Sequence, residues 1–190
     1  MHKRLNGWLA AATAVAGVFL AGEARGAGAV TVLGGGLAEA CSEAARAGDR
    51  ALEDEKTCTL ALETEALNPR DRAGTYVNRG VLKLRRLSWD SATADFNQAL
   101  RIKPDLAEAF VNRGAAAIGA RRYAESLPDI NRALALGVDE PAKAYYNRAL
   151  AHEALDDPKS AYFDYQKAIE LNPEWGLPKE QLARFTVTRR

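Results

Sequence analysis

The sequence predicts an all-α protein, a right-handed α-solenoid of helix-turn-helix repeats, on three observations. Residues 73 to 175 repeat themselves at a spacing of 34 or 35 residues. Each repeat holds two amphipathic stretches of about 13 residues separated by a short turn, the pattern of an antiparallel helix pair that hides one apolar face. Helix starts are marked in step, by Ser88 before Trp89, Glu140-Pro141, Asp157-Pro158 and Leu177-Pro178, because a proline in the first turn gives up no intrahelical bond. Composition fits a folded chain, with 47% hydrophobic and 27% charged residues, and a net charge of +1 supplies no field for nucleic acid.

The elements follow in order. Residues 1–29 carry a secretory signal layout: His2-Lys3-Arg4, an apolar run from Trp8 to Gly22 broken only by Thr13, then Ala27-Gly28-Ala29. The run is shorter than the roughly 20 residues that span a bilayer. Cleavage near Ala29, with Gly26 as the alternative, is therefore expected, giving a periplasmic or secreted protein with no membrane association afterwards. Residues 30–36 are a linker. The exported chain would carry a net charge of −1, His152 as its sole histidine, and Cys41 and Cys58 as its sole cysteines. An even count in an oxidising compartment favours one disulfide.

Residues 37–72 form a degenerate first repeat with helices from Leu37 to Ala47 and Ala51 to Glu65. Setting Ala61-Leu62 in step with Ala99-Leu100 brings Cys58 into register with Phe96 and Cys41 with Arg79 on the facing helix, so the two cysteines should meet. Three full repeats follow, 73–106, 107–141 and 142–175. Small residues recur at Gly80, Gly114 and Ala149, where two helix axes can approach closely. Trp89, Tyr123 and Pro158 recur in step, as do Phe96, Ile130 and Tyr165, and Ala99, Ala133 and Ala168. Pro128 falls inside a predicted helix, where a lost donor and a ring clash cost up to about 3 kcal/mol or kink it. Residues 176–190 are a capping helix from Pro178 to Phe185, with Leu182 and Phe185 inward, and a tail.

With Tyr76, Phe110 and Tyr145 before the small residues, and Pro104 and Pro173 at repeat ends, residues 73 to 175 resemble the tetratricopeptide repeat family, a 34-residue helix-turn-helix unit. Arg79, Arg113 and Arg148 stand where that family usually has leucine. The resemblance implies that the first helix of each unit lines a concave face, and that Asn78, Asn112 and Asn147 hold a ligand's backbone there. An amide offers both halves of the hydrogen bond a peptide group needs without the desolvation cost of a charge. Val77, Val81, Val111, Lys143 and Tyr146 are expected beside them as peptide-binding residues. The alternative is that these asparagines bond only to neighbouring helices. A basic clamp for a chaperone's C-terminal carboxylate, found in some members, is matched by Asn112 and Lys143 but is incomplete at Val77, Val81 and Asn147.

Each recurring arginine precedes an aspartate by sixteen residues: Arg79 and Asp95, Arg113 and Asp129, Arg148 and Asp164. That offset places the partners on facing helices, so they are expected as structural ion pairs. Three equivalent copies along a rod do not converge on one catalytic site, and His152 in register with the helix interface reads as core. No enzymatic activity, metal or cofactor is expected. The expected function is an exported scaffold that binds a segment of a partner protein in its groove. A structural or self-assembling protein with an idle groove is the alternative. Oligomeric state is left open.

Overall fold

The computed structural model describes residues 28–32, 36–47 and 52–185. Most of the expected leader and the tail after residue 185 lie outside the described residues. Among the described residues the chain forms α-helices and no strands: α1 (Leu37–Ala47), α2 (Leu52–Thr64), α3 (Pro69–Arg85), α4 (Trp89–Ile102), α5 (Ala107–Gly119), α6 (Tyr123–Leu136), α7 (Pro141–Ala154), α8 (Pro158–Leu171) and α9 (Gly176–Leu182). No helix among them is long and apolar enough to cross a membrane.

The helices pack as four successive pairs, α1 with α2, α3 with α4, α5 with α6 and α7 with α8, and each second helix also packs on the first helix of the next pair. Successive first helices touch directly (α1 with α3, α3 with α5, α5 with α7), whereas successive second helices make no comparable contact. A stack that is tighter along one row than the other curves toward the tight row, so α1, α3, α5 and α7 form the concave wall. Each unit therefore buries its apolar stripe only against its neighbours, the arrangement of a solenoid.

The local signals explain the boundaries. Pro69, Pro141 and Pro158 stand in the first turns of their helices; Asn68 and Asp157 accept backbone N–H bonds from Asp71 and Ser160. The Asn68-Pro69 start carries α3 four residues ahead of the expected repeat boundary at 73. At the other end, α9 begins at Gly176 and closes at Leu182, earlier at both ends than expected, and Phe185 packs on the last cluster from the turn beyond it. Pro128 lies inside α6, which runs on without a break, its ring on the exposed face.

The turn inside each full repeat has a shared geometry. Leu87, Arg121 and Asp156 adopt φ of 61°, 60° and 60°. Ser88, Arg122 and Asp157 then donate back five residues to the carbonyls of Lys83, Ala117 and His152. This is the Schellman closure of a helix, here built on a non-glycine residue in the left-handed region. Gly137 closes α6 the same way with φ 78°.

Cys41 and Cys58 are joined by a disulfide that ties α1 to α2, with Cα atoms 4.8 Å apart and both residues fully buried. α2 has a weakly amphipathic sequence, so the covalent tie supplies what burial of an apolar stripe does elsewhere. Reduction is expected to lower the stability of the oxidised chain by about 3 kcal/mol, the loop-closure value for a separation of this length. Urea unfolding with and without reductant measures it, and coincident curves would mean the bridge constrains nothing.

Candidate functional site: the concave groove

Residues 28–32 lie against the helices. Residues 28–32 run without regular secondary structure along the concave wall, crossing the first helices one after another. Val32 lies in an apolar cluster with Ala38 of α1 and Ala61 of α2. Val30 packs on the cluster formed by α3 and α4, and Gly28 reaches the start of α7, where its N–H donates to Glu140 Oε2 at 2.7 Å.

At the centre of this crossing Asn78 grips one residue, Val30, with both ends of its amide, through the two peptide groups that flank that residue's Cα. The N–H of Val30 donates to Asn78 Oδ1 at 2.8 Å, and Asn78 Nδ2 donates to the carbonyl of Val30 at 2.9 Å. Ser42 on α1 adds a second anchor: its hydroxyl donates to the Val30 carbonyl at 3.1 Å and accepts from the N–H of Val32 at 3.4 Å. Both Asn78 and Ser42 are fully buried. Gly74, one turn before Asn78 on α3, makes room for the two valines. A Cβ there would stand 2.9 Å from Val30 Cγ1 and 3.3 Å from Val32 Cγ2.

The other two asparagines occupy equivalent positions on α5 and α7. Asn112 donates from Nδ2 to the carbonyl of Glu108 in its own helix at 2.8 Å. Asn147 is 2% exposed, and its Nδ2 has no hydrogen-bond partner among the described residues. Lys143 forms an ion pair with Glu140 Oε1 at 2.6 Å, so the carboxylate that receives Gly28 is itself held. Val77, Val81, Val111 and Tyr146, expected as groove lining, are at most 2% exposed and sit in the apolar clusters between helices. Val77 and Val81 belong to the cluster of α3, α4 and α5 on which Val30 packs.

Behind the groove wall a polar ladder fixes the helices in register. Arg79, Arg113 and Arg148 each make two parallel bonds to an aspartate on the partner helix: Asp95 at 2.9 and 2.7 Å, Asp129 at 2.7 and 2.6 Å, Asp164 at 2.8 and 2.7 Å. The remaining guanidinium nitrogen reaches back to the preceding pair, to Thr59, Asn97 and Asn131 respectively. The planes lie over the rings of Tyr76, Phe110 and Tyr145 at 5.5, 5.4 and 5.1 Å. For Arg113 and Arg148 the aspartate bonds raise an already high pKa; for Arg79 burial opposes the rise and Asp95 outweighs it. These groups are fully engaged, and their chemistry is that of a staple between units. His152 is held between Asp157, 3.5 Å away, and Asp164, 4.0 Å away. Among the described residues no group of three or more potential ligands is arranged to hold a metal ion.

Sequence reasoning passed over Ser42, Gly74, Glu140 and the segment 28–32. Ser42 had a signal, since the cysteine register places it level with Gly80 at the small-residue position. The segment had none: its five residues, Gly-Ala-Val-Thr-Val, read equally well as the end of a leader.

The repeat reading agrees with known proteins. The tetratricopeptide repeat model matches residues 142–174. The DnaJ homolog subfamily C member 7 homolog of Schizosaccharomyces pombe is 32% identical over 58% of this chain and 24% of its own length. RNA polymerase II-associated protein 3 of Xenopus tropicalis is 31% identical over 72% of this chain and 22% of its own. The chain thus spans about a quarter of the curated relatives it matches. Among solved structures, MamA from Desulfovibrio magneticus superposes with a TM-score of 0.63 at 21% identity, covering 78% of this chain and 82% of that one. The first repeat domain of Spaghetti (RPAP3), bound to an HSP90 peptide, superposes with a TM-score of 0.57 at 24% identity, covering 60% of this chain and 90% of that one. The periodic sequence, the paired helices and the family match over residues 142–174 support the tetratricopeptide repeat family for this chain, and the solved structures share its fold.

Proposed function

We propose that this protein is an exported scaffold that binds an extended segment of a partner protein along its concave groove and performs no chemistry of its own. The observation that carries the reading is the double hydrogen bond between the Asn78 amide and the backbone N–H and carbonyl of Val30. Because it uses only backbone atoms of the held residue, the same amide can hold any extended chain that reaches it. Asn147, in register with Asn78 one repeat beyond Asn112, keeps a buried amide donor without a partner among the described residues. Such a group costs about 1–3 kcal/mol unless something accepts from it, and a peptide carbonyl crossing α7 would. The RPAP3 domain with its HSP90 peptide is a precedent for this fold holding a peptide. Export rests on the basic, apolar and small-residue layout of the first 29 residues.

The test is to capture the partner by crosslinking in the native compartment and to measure its affinity for the Asn78→Ala, Asn112→Ala, Asn147→Ala triple variant. A loss of tenfold or more with an unchanged helical spectrum is expected. Unchanged affinity would reject the groove.

A further inference from the structure

The groove of the tetratricopeptide stack is already occupied by its own chain, and the occupant describes the ligand. We propose that residues 28–32 are a tethered competitor, and that the partner segment which displaces them is an extended stretch of small and β-branched apolar residues with the same spacing. This rests on the reading of the groove as a peptide site and names its ligand class.

Four features of the contact define that class. The segment is held through its backbone, with the N–H and carbonyl of Val30 on Asn78 and the N–H of Val32 on Ser42. Its side chains lie close against the wall: Val30 and Val32, two residues apart and so on one face of an extended chain, both sit over Gly74, where even a Cβ on the helix would stand 2.9 Å from Val30 Cγ1 and 3.3 Å from Val32 Cγ2. Ala29 packs against the cluster of Cys41, Ala45, Cys58 and Leu82, which is closed by the disulfide. At the far end Glu140, already paired with Lys143, accepts a backbone N–H rather than a charged side chain. The ligand is therefore an extended, uncharged, small-residue segment that runs from α7 toward α1.

The same geometry makes residues 28–32 a competitor. Only four residues separate Val32 from the start of α1 at Leu37, and a tether that short sets a local concentration in the millimolar range. A partner must exceed that to enter. The apparent affinity of the groove for a free segment is reduced by the fraction of molecules in which the tether is docked. Leader cleavage after Gly26 leaves the whole segment in place; cleavage after Ala29 would remove Gly28 and Ala29 and leave Val30 as the first residue, its terminal ammonium facing Asn78 Oδ1 in place of the N–H.

The experiment uses the full chain and a synthetic peptide of residues 28–32, acetylated, amidated and fluorescently labelled. Val30→Pro removes the N–H that Asn78 accepts and should raise affinity for the peptide at least tenfold over the unmodified chain. Val30→Ser, which keeps the peptide unit and trims the side chain, should give a smaller rise. Adding Asn78→Ala to Val30→Pro should abolish binding. Hydrogen exchange should find the Val30 amide protected in the unmodified chain and unprotected in Asn78→Ala, a readout that does not depend on the Val30 variants. Equal peptide affinity in the unmodified chain and both Val30 variants, with the Val30 amide unprotected, would overturn the tethered competitor and leave the groove reading standing. No peptide binding to any chain, while a captured partner still depends on the three asparagines, would overturn the ligand class alone. A dimer that Val30→Pro dissolves would overturn the intramolecular arrangement and assign the groove to a second copy's segment.

Discussion

Replacing Asp95 with alanine should lower the unfolding free energy by about 3–5 kcal/mol, the loss that follows when one partner of a buried ion pair is removed and the other is left without compensation. Two cations depend on this carboxylate: Arg79 through two bonds, and Lys83, whose ammonium lies 2.8 Å from Oδ2. The repeats provide an internal control. The Asp95, Asp164 and Asp129 side chains are 4%, 9% and 16% exposed, so the loss should fall in that order along Asp95→Ala, Asp164→Ala and Asp129→Ala. Water can reach the orphaned Arg113 more readily than the orphaned Arg79. Asp129 also holds a single cation, whereas Asp164 has His152 near it as well as Arg148. Urea unfolding of the three variants at matched slope measures the series. Equal losses would mean that the pairs act only as surface charges and that burial does not set their worth.

This ladder explains why the concave wall can present evenly spaced amides. Each arginine holds its own second helix through aspartate and the preceding unit's second helix through Thr59, Asn97 or Asn131, so one side chain fixes both the pair and the step to the next pair. Because the asparagine is the residue before the arginine in every full repeat, the backbone that the ladder fixes is the backbone that carries Asn78, Asn112 and Asn147. A leucine at the arginine position would pack one pair but could not make three directional bonds across two.

Much of the fold was legible because the repeat writes the same instruction several times. The sixteen-residue offset of arginine and aspartate, the small residue facing an aromatic or isoleucine, and the proline or asparagine at helix starts each follow from local geometry. The Schellman turns were not legible: their left-handed positions are occupied by Leu87, Arg121 and Asp156, and no glycine announces them. The groove was half legible. A recurring amide shows that something polar must be met on one face, but burial depends on angle around the helix, and a one-residue difference separates Asn78 from the core residue Val77. The occupant was hidden altogether, because residues 28–32 acquire meaning only from Asn78, 48 positions away from Val30.

Phe96 is where the closest approach of two helices is decided. Its ring is fully buried and lies against Gly80 of the facing helix, where a Cβ would stand 2.8 Å from Cζ and 2.9 Å from Cδ1. Phe96→Ala should cost about 3–5 kcal/mol, the transfer loss of the ring plus the cavity it leaves. Gly80→Ala should cost about 1–3 kcal/mol by overpacking, although glycine to alanine within a helix ordinarily gains about 1 kcal/mol. The ring has no room to retreat, with Ala73, Val77, Ala92 and Ala99 in the same cluster. The two substitutions should therefore couple. In the Phe96→Ala background the new methyl enters the vacated space, and Gly80→Ala should become neutral or stabilising, a coupling of about 2–3 kcal/mol in a double-mutant cycle. If Gly80→Ala costs the same in both backgrounds, the ring is not what requires glycine, and the close approach of α3 and α4 has another cause.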